Sequence, residues 1–265
     1  MEFVDVHAHV ESSRFEGDLK DVLTRAKEKG VSFIINSGVN PETNRKTLEL
    51  SKKYSLIKAS FGLYPIDSII ELVGQLDDDV SRVIKPFSVD KEIKWIEEHS
   101  KDCVAIGEVG LDYQIAPDFK EEQKAVFLKS IELAKKINKP IVIHSRKAEA
   151  DAIKILKENN LRKVIMHCFN GKKSLIREGV EAGFYFSVPP VITRLQHFEM
   201  LVDLVPLEQL LTETDSPYLS PIAGVRNEPA NVTITVKRIA EIKNLTEKEV
   251  AKQIYKNSVE LFDLC

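Results

Sequence analysis

Eight times along the chain, a short run rich in Val, Ile and Phe gives way to a longer stretch of helical period. A parallel neighbour is reached only through a long crossover, so regular strand–helix alternation points to βα units and excludes all-helical and antiparallel architectures. Strands are expected at 3–6, 32–36, 57–61, 104–107, 141–144, 164–167, 184–187 and 210–212. Helices are expected at 18–29, 42–53, 91–99, 119–137, 148–158, 172–181, 195–203 and 231–242, with 247–262 packed outside as an extra C-terminal helix. Eight such units in 265 residues fit a (β/α)8 TIM barrel better than an open doubly wound sheet. No glycine-rich phosphate loop follows a strand, which removes the common nucleotide-binding folds. Composition shifts nowhere and no Gly/Ser/Pro linker intervenes, so 1–265 is expected to be a single domain. The connection 67–90, with its acidic run Asp77-Asp78-Asp79, is long for a βα link and is expected to hold an inserted helix or a rim loop.

Composition bounds the partners. A net charge of -3 gives no long-range pull on a polyanion, so any nucleic-acid contact must be local. Cys103, Cys168 and Cys265 are odd in number and lack metal-knuckle spacing, which fits a reducing cytoplasm. The first residues lack the basic and apolar regions of a secretory signal. No run approaches the roughly 20 apolar residues of a membrane span. Neither a membrane nor an obligate protein partner is expected, and Asn231-Val232-Thr233 is read as a chance glycosylation sequon.

In a barrel of this kind chemistry sits at the C-terminal ends of the strands. Strand 1 leads into His7 and His9, which point to one side because side chains alternate. Strand 4 leads to Glu108, strand 5 to His144 and Arg146, strand 6 to His167, and strand 8 to Glu213 and Asp215. A lone histidine at a strand end is more often structural than ligating, but four of six at one rim, with two carboxylates facing them, point to metal. Cys168 follows His167 and should face away, towards the core. Arg146 shares the face of His144, where it would form an ion pair or grip a phosphate or carboxylate. His99 and His197 are expected at the surface. Four imidazoles and two carboxylates exceed the needs of one catalytic ion, so two divalent ions roughly 3.5–4 Å apart are expected, activating water for hydrolysis.

The segments Val6-His7-Ala8-His9, Gly107-Glu108-Val109-Gly110-Leu111-Asp112-Tyr113, His144-Ser145-Arg146, His167-Cys168-Phe169-Asn170-Gly171 and Glu213-Thr214-Asp215-Ser216-Pro217-Tyr218-Leu219 resemble the TatD-type metal-dependent deoxyribonucleases. The resemblance runs through essentially the whole chain. It implies an amidohydrolase-like barrel hydrolysing phosphodiesters, with DNA ends as substrate and exonuclease action. It puts His7, His9, Glu108, His144, His167 and Asp215 in the metal positions. Glu108 would bridge, His7, His9 and Asp215 would serve one ion, and His144 with His167 the other. Asp215 would also orient or deprotonate the attacking water, and Asp112 and Glu213 would back the ligands. Asn227-Glu228-Pro229-Ala230 matches a further motif that would hold phosphate.

Two departures stand out. Tyr64 and Ile66 replace the histidines of the family's Gly-hydrophobic-His-Pro-His motif, leaving Tyr64 as a substrate contact of different chemistry. Pro221-Ile222-Ala223-Gly224-Val225-Arg226 replaces Pro-x-Arg-Gly, which puts Arg226 and Asn227 at the substrate rim. Imidazole-rich ligation suits Zn or Mn, while the resemblance implies that Mg supports turnover. Alternative readings are ester or amide hydrolysis at the same site, as in an aminoacyl-tRNA deacylase or a small-substrate amidohydrolase, and a non-catalytic binding barrel. The last would be expected to have lost ligands, and all six are present.

Overall fold

A computed structural model describes residues 1–74 and 84–264. Eight strands pair in chain order, all in parallel: β1 (Phe3–Ala8), β2 (Val31–Ser37), β3 (Ile57–Leu63), β4 (Ala105–Gly110), β5 (Ile141–His144), β6 (Val164–Met166), β7 (Tyr185–Val188) and β8 (Leu210–Thr212). Between and after them lie α1 (Leu19–Glu28), α2 (Pro41–Lys53), α3 (Ile70–Val73), α4 (Val89–Glu98), α5 (Lys120–Ile137), α6 (Glu149–Glu158), α7 (Lys173–Glu181), α8 (Gln196–Leu204), α9 (Val232–Lys243) and α10 (Glu247–Phe262). This is the expected (β/α)8 barrel with its added C-terminal helix. Among the described residues no helix is long and apolar enough to cross a membrane.

Local chemistry explains the starts of α2 and α10. Asn40 accepts from the Thr43 amide ahead of Pro41, and Thr246 with Glu249 forms the same reciprocal cap on α10. The helices bury their apolar faces on the strands, with Phe127 and Ile131 of α5, Ile153 of α6 and Phe198 of α8 among fully enclosed side chains.

The seam between β8 and β1 is closed by specific bonds. The Asp5 carboxylate accepts from the Thr214 amide at 2.8 Å, the Thr214 hydroxyl at 2.5 Å and the His7 amide at 3.3 Å. The Thr212 hydroxyl donates to the Val4 carbonyl, and the Asp215 and His9 amides donate to the His7 and Ser216 carbonyls. On the opposite side, β4 is pressed against its neighbours. A Cβ at Gly62 would lie 2.3 Å from the Glu108 nitrogen, and one at Gly110 would lie 2.0 Å from the His144 carbonyl oxygen. Only glycine permits either approach.

Strand ends differ from expectation where chemistry sits. β1 and β4 run further than their apolar runs, so His7 and Glu108 lie inside strands, whereas β6 stops one residue before His167. The connection 67–90 does hold an added helix: a 3₁₀ turn at Asp67–Ile69 runs into α3. Asp77, Asp78, Asp79 and Cys265 lie outside the described residues.

Candidate metal centre

Strands β1, β4 and β5 and the turns after β6 and β8 bring the six expected ligands to one point. Glu108 is the hub. Its Oε2 lies 3.4 Å from Nε2 of both His7 and His9, while its Oε1 lies 2.7 Å from His144 Nδ1 and 3.9 Å from His167 Nε2. Asp215 Oδ1 stands 3.6 and 3.4 Å from the same nitrogens of His7 and His9. Asp215 reaches inward from a left-handed backbone conformation at φ 52°, and Cys168, the residue after His167, has φ 43°. Both turns aim a ligand at the axis.

Each imidazole offers one nitrogen to this centre and has its other nitrogen held. His7 Nδ1 meets the Ser37 hydroxyl at 3.1 Å, and His9 Nδ1 meets the Ser37 carbonyl at 2.8 Å. His144 Nε2 meets Asp112 Oδ2 at 2.9 Å, and His167 Nδ1 meets Glu213 Oε2 at 2.7 Å. A carbonyl or carboxylate at the outer nitrogen fixes both orientation and tautomer for His9, His144 and His167, leaving a lone pair for a cation, while the Ser37 hydroxyl orients the His7 ring. Three groups of three ligands meet the spacing of a metal site: His7, His9 and Glu108; His7, His167 and Asp215; Glu108, His144 and His167. Imidazole and carboxylate donors packed this closely fit divalent cations.

The electrostatics agree with that demand for positive charge. Burial pushes the Glu108 carboxyl up, but hydrogen bonds from His144, His7 and His9 overcome it and hold the group well below the usual carboxylate range. Asp215 is likewise lowered, burial being outweighed by the His9 bond and the charges of His167 and His7. His144 and His167 are raised to about 9: burial opposes their charge, but Asp112 and Glu108 win for the first and Glu213 for the second. His9 is raised against burial by Asp215, Glu108 and Glu11, whereas burial and the neighbouring His167 lower His7.

Asp112 and Glu213 meet the outer nitrogens of His144 and His167 and are themselves held by further bonds. Glu213 also accepts from the Ser187 hydroxyl at 2.6 Å and the Cys168 amide at 3.1 Å. Asp112 Oδ1 takes the Gln114 and Ile115 amides, and its Oδ2 takes His144 together with the Tyr64 hydroxyl at 2.9 Å. Tyr64, expected to face substrate, thus turns its hydroxyl to Asp112. Ile66 is buried in a small apolar cluster with Ile69 and Ala116.

The other rim residues scatter. Arg146 is exposed, and β5 ends at His144, so strand alternation no longer sets the direction of a side chain two residues on. Arg226 grips Asp18 with both nitrogens, at 2.9 and 2.5 Å, and lies over the Phe15 ring. Asn227 is 0% exposed; its amide donates to the Thr214 carbonyl and its oxygen accepts from the Glu228 amide and the Asn231 side chain. Both therefore tie the loop after β8 to its surroundings. His99 and His197, expected at the surface, are half-buried, bonded to the Trp95 and Phe169 carbonyls.

Asp5, Ser37, Ser187 and Glu11 were not anticipated. Glu11 continues the His7–His9 alternation, which was the available signal. Its side chain is 4% exposed, Oε1 lies 3.6 Å from His9 Nδ1, and Oε2 is buried without a hydrogen-bond partner among the described residues. At the mouth the Tyr218 ring stands edge-on to His9, with the Arg14 guanidinium 5.3 Å from the ring centre.

The comparisons with known proteins agree with this geometry. The chain is 36% identical over 266 residues to deoxyribonuclease TATDN3 of Homo sapiens, covering 98% of this chain and 94% of that protein. It is equally 36% identical over 266 residues to the uncharacterized metal-dependent hydrolase YabD of Bacillus subtilis, covering 97% and 98%. The crystal structure of YJJV, a TatD homologue from Escherichia coli K12, superposes with a TM-score of 0.86 at 26% identity over 99% of this chain and 98% of that one. The family profile described as TatD related DNase matches residues 4–263. By fold, ligand geometry and sequence, the chain belongs to the TatD related DNase family.

Proposed function

We propose that the protein is an exodeoxyribonuclease that hydrolyses phosphodiester bonds at DNA ends with two divalent ions held by His7, His9, Glu108, His144, His167 and Asp215. Its relatives make it a metal-dependent hydrolase of ester bonds. The observation that carries the two-ion reading is the division of Glu108, whose Oε2 faces His7 and His9 and whose Oε1 faces His144 and His167. Mg, Mn or Zn ions bound there would supply Lewis-acid activation of water and neutralise phosphate charge.

The chain's own residues do the rest. Asp215 is the more open of the two central carboxylates, with 15% of its side chain exposed against 6% for Glu108, and it accepts the proton of the attacking water. Glu108 holds both imidazole pairs at fixed spacing. Tyr218, edge-on to His9, and Arg14 over its ring border the mouth, where phosphate and base arrive. The three cysteines fit a cytoplasmic setting for this reaction.

The test uses metal-stripped protein on end-labelled single- and double-stranded DNA and RNA, with Mg, Mn and Zn added in turn. Chelation should abolish cleavage. Asp215→Asn should lower kcat by about 10²–10⁴-fold, the span of a general base, with an unchanged circular dichroism spectrum. Cleavage that survives the chelator or the substitution would overturn the mechanism. Activity confined to carboxylic esters or amides would move the substrate out of the nucleic acids.

A further inference from the structure

Tyr64 stands at the end of β3, ring edge-on to His144 with centroids 5.0 Å apart, and half-buried between the barrel rim and the small cluster formed by Ile66, Ile69 and Ala116. Its hydroxyl is directed at Asp112 Oδ2, the same oxygen that His144 Nε2 meets. The other oxygen is already taken by the Gln114 and Ile115 amides, and the Asp112 backbone is clasped by Gln123, whose side chain accepts from its amide and donates to its carbonyl. A carboxylate oxygen has two lone pairs in its plane. With Tyr64 on one and His144 on the other, Asp112 cannot turn about its last torsion without breaking a bond.

We infer that Tyr64 is a positioning residue of the metal centre: its hydroxyl fixes Asp112, and Asp112 fixes the His144 ring with Nδ1 towards Glu108. The inference rests on the metal-binding part of the proposed function and assigns Tyr64 to the ligands and not to the substrate. An ionised carboxylate at Nε2 requires the proton there, so Nδ1 keeps its lone pair for a cation. The phenol makes that partner immobile. Without the hydroxyl, Oδ2 has a single donor, and the carboxylate and the ring can swing together.

Outer partners of metal-bound histidines typically change affinity or activity by 10–100-fold when removed, and residues acting through one another are not additive. The experiment is calorimetric titration of Mn²⁺ into metal-stripped parent, Tyr64→Phe, Asp112→Asn and the double variant, with the visible spectrum of the Co²⁺ form as a second readout. Phe keeps the ring packing and removes only the hydroxyl. Tyr64→Phe is expected to weaken Mn²⁺ binding roughly tenfold and shift the Co²⁺ bands. In the Asp112→Asn background the same change should add less than about twofold. A dissociation constant for Tyr64→Phe within twofold of the parent would overturn the inference, whether the variant then shows only a lower melting temperature, as for a packing role, or only a raised KM on DNA, as for a substrate contact. Multiplying effects of the two substitutions would overturn it as well. No substrate enters the titration, so a parent that binds metal and cleaves no DNA sinks the proposed activity and leaves this inference standing.

Discussion

At the scale of single residues, the centre is a set of lone pairs whose protons and cations compete. His144 and His167 sit at about 9 in the folded chain, above the 6.5 of a free imidazole. Without metal, their contribution to stability is complete below pH 6.5 and is lost as the pH rises through about 9. Metal needs the unprotonated nitrogen, so binding near pH 7.5 should expel roughly one to two protons per chain and tighten with pH towards 9. Calorimetry in buffers of different ionisation enthalpy measures that number directly, and a value of zero would mean that these two rings do not ligate. Residue-scale reading of the sequence reached all six central groups because strand ends and alternation constrain where they point. It did not reach the Tyr64–Asp112 bond, the enclosure of Asn227 or the Arg226–Asp18 pair, since partners so far apart in the chain meet only through tertiary geometry.

At the scale of elements, nearly every strand and helix was legible, because buried parallel strands read as continuous apolar runs and the helices are amphipathic. The errors fell where polar residues are buried. β1 and β4 continue through His7 and Glu108, side chains that do not look like strand interior until the site they serve is known. Asp5 has the same character: a fully enclosed carboxylate in β1, raised by burial to about 8 against the bonds from Thr214 and His7. It joins the first element to the last. Asp5→Ala would strand the Thr214 amide and hydroxyl at about 1–3 kcal/mol for each unpaired buried group, and urea unfolding should show a total loss of about 2–6 kcal/mol. A loss below roughly 0.5 kcal/mol, the size of an ordinary surface substitution, would mean that the backbone bonds close the seam unaided.

At the scale of the whole molecule, a net charge of -3 leaves little to draw DNA from a distance. Each phosphate neutralised contributes about -0.9 to the slope of log affinity against log salt on duplex DNA, and a mouth with Arg14 beside Tyr218 offers few such contacts. A slope shallower than about -3 is expected from anisotropy measured in Mg-free buffer with chelator present. A slope steeper than about -6 would reveal a basic groove elsewhere on the surface. The centre itself has one more property at this scale. Its ligands are drawn from β1, β4 and β5 and from the turns after β6 and β8, so His7 and Asp215 become neighbours only when the ring of strands has come full circle. An open or half-built barrel holds at most a fragment of the donor set. Cations held by all six side chains would therefore favour the finished topology over any partial one, and the residues that would ready the protein for hydrolysis would also act as a latch on the completed fold.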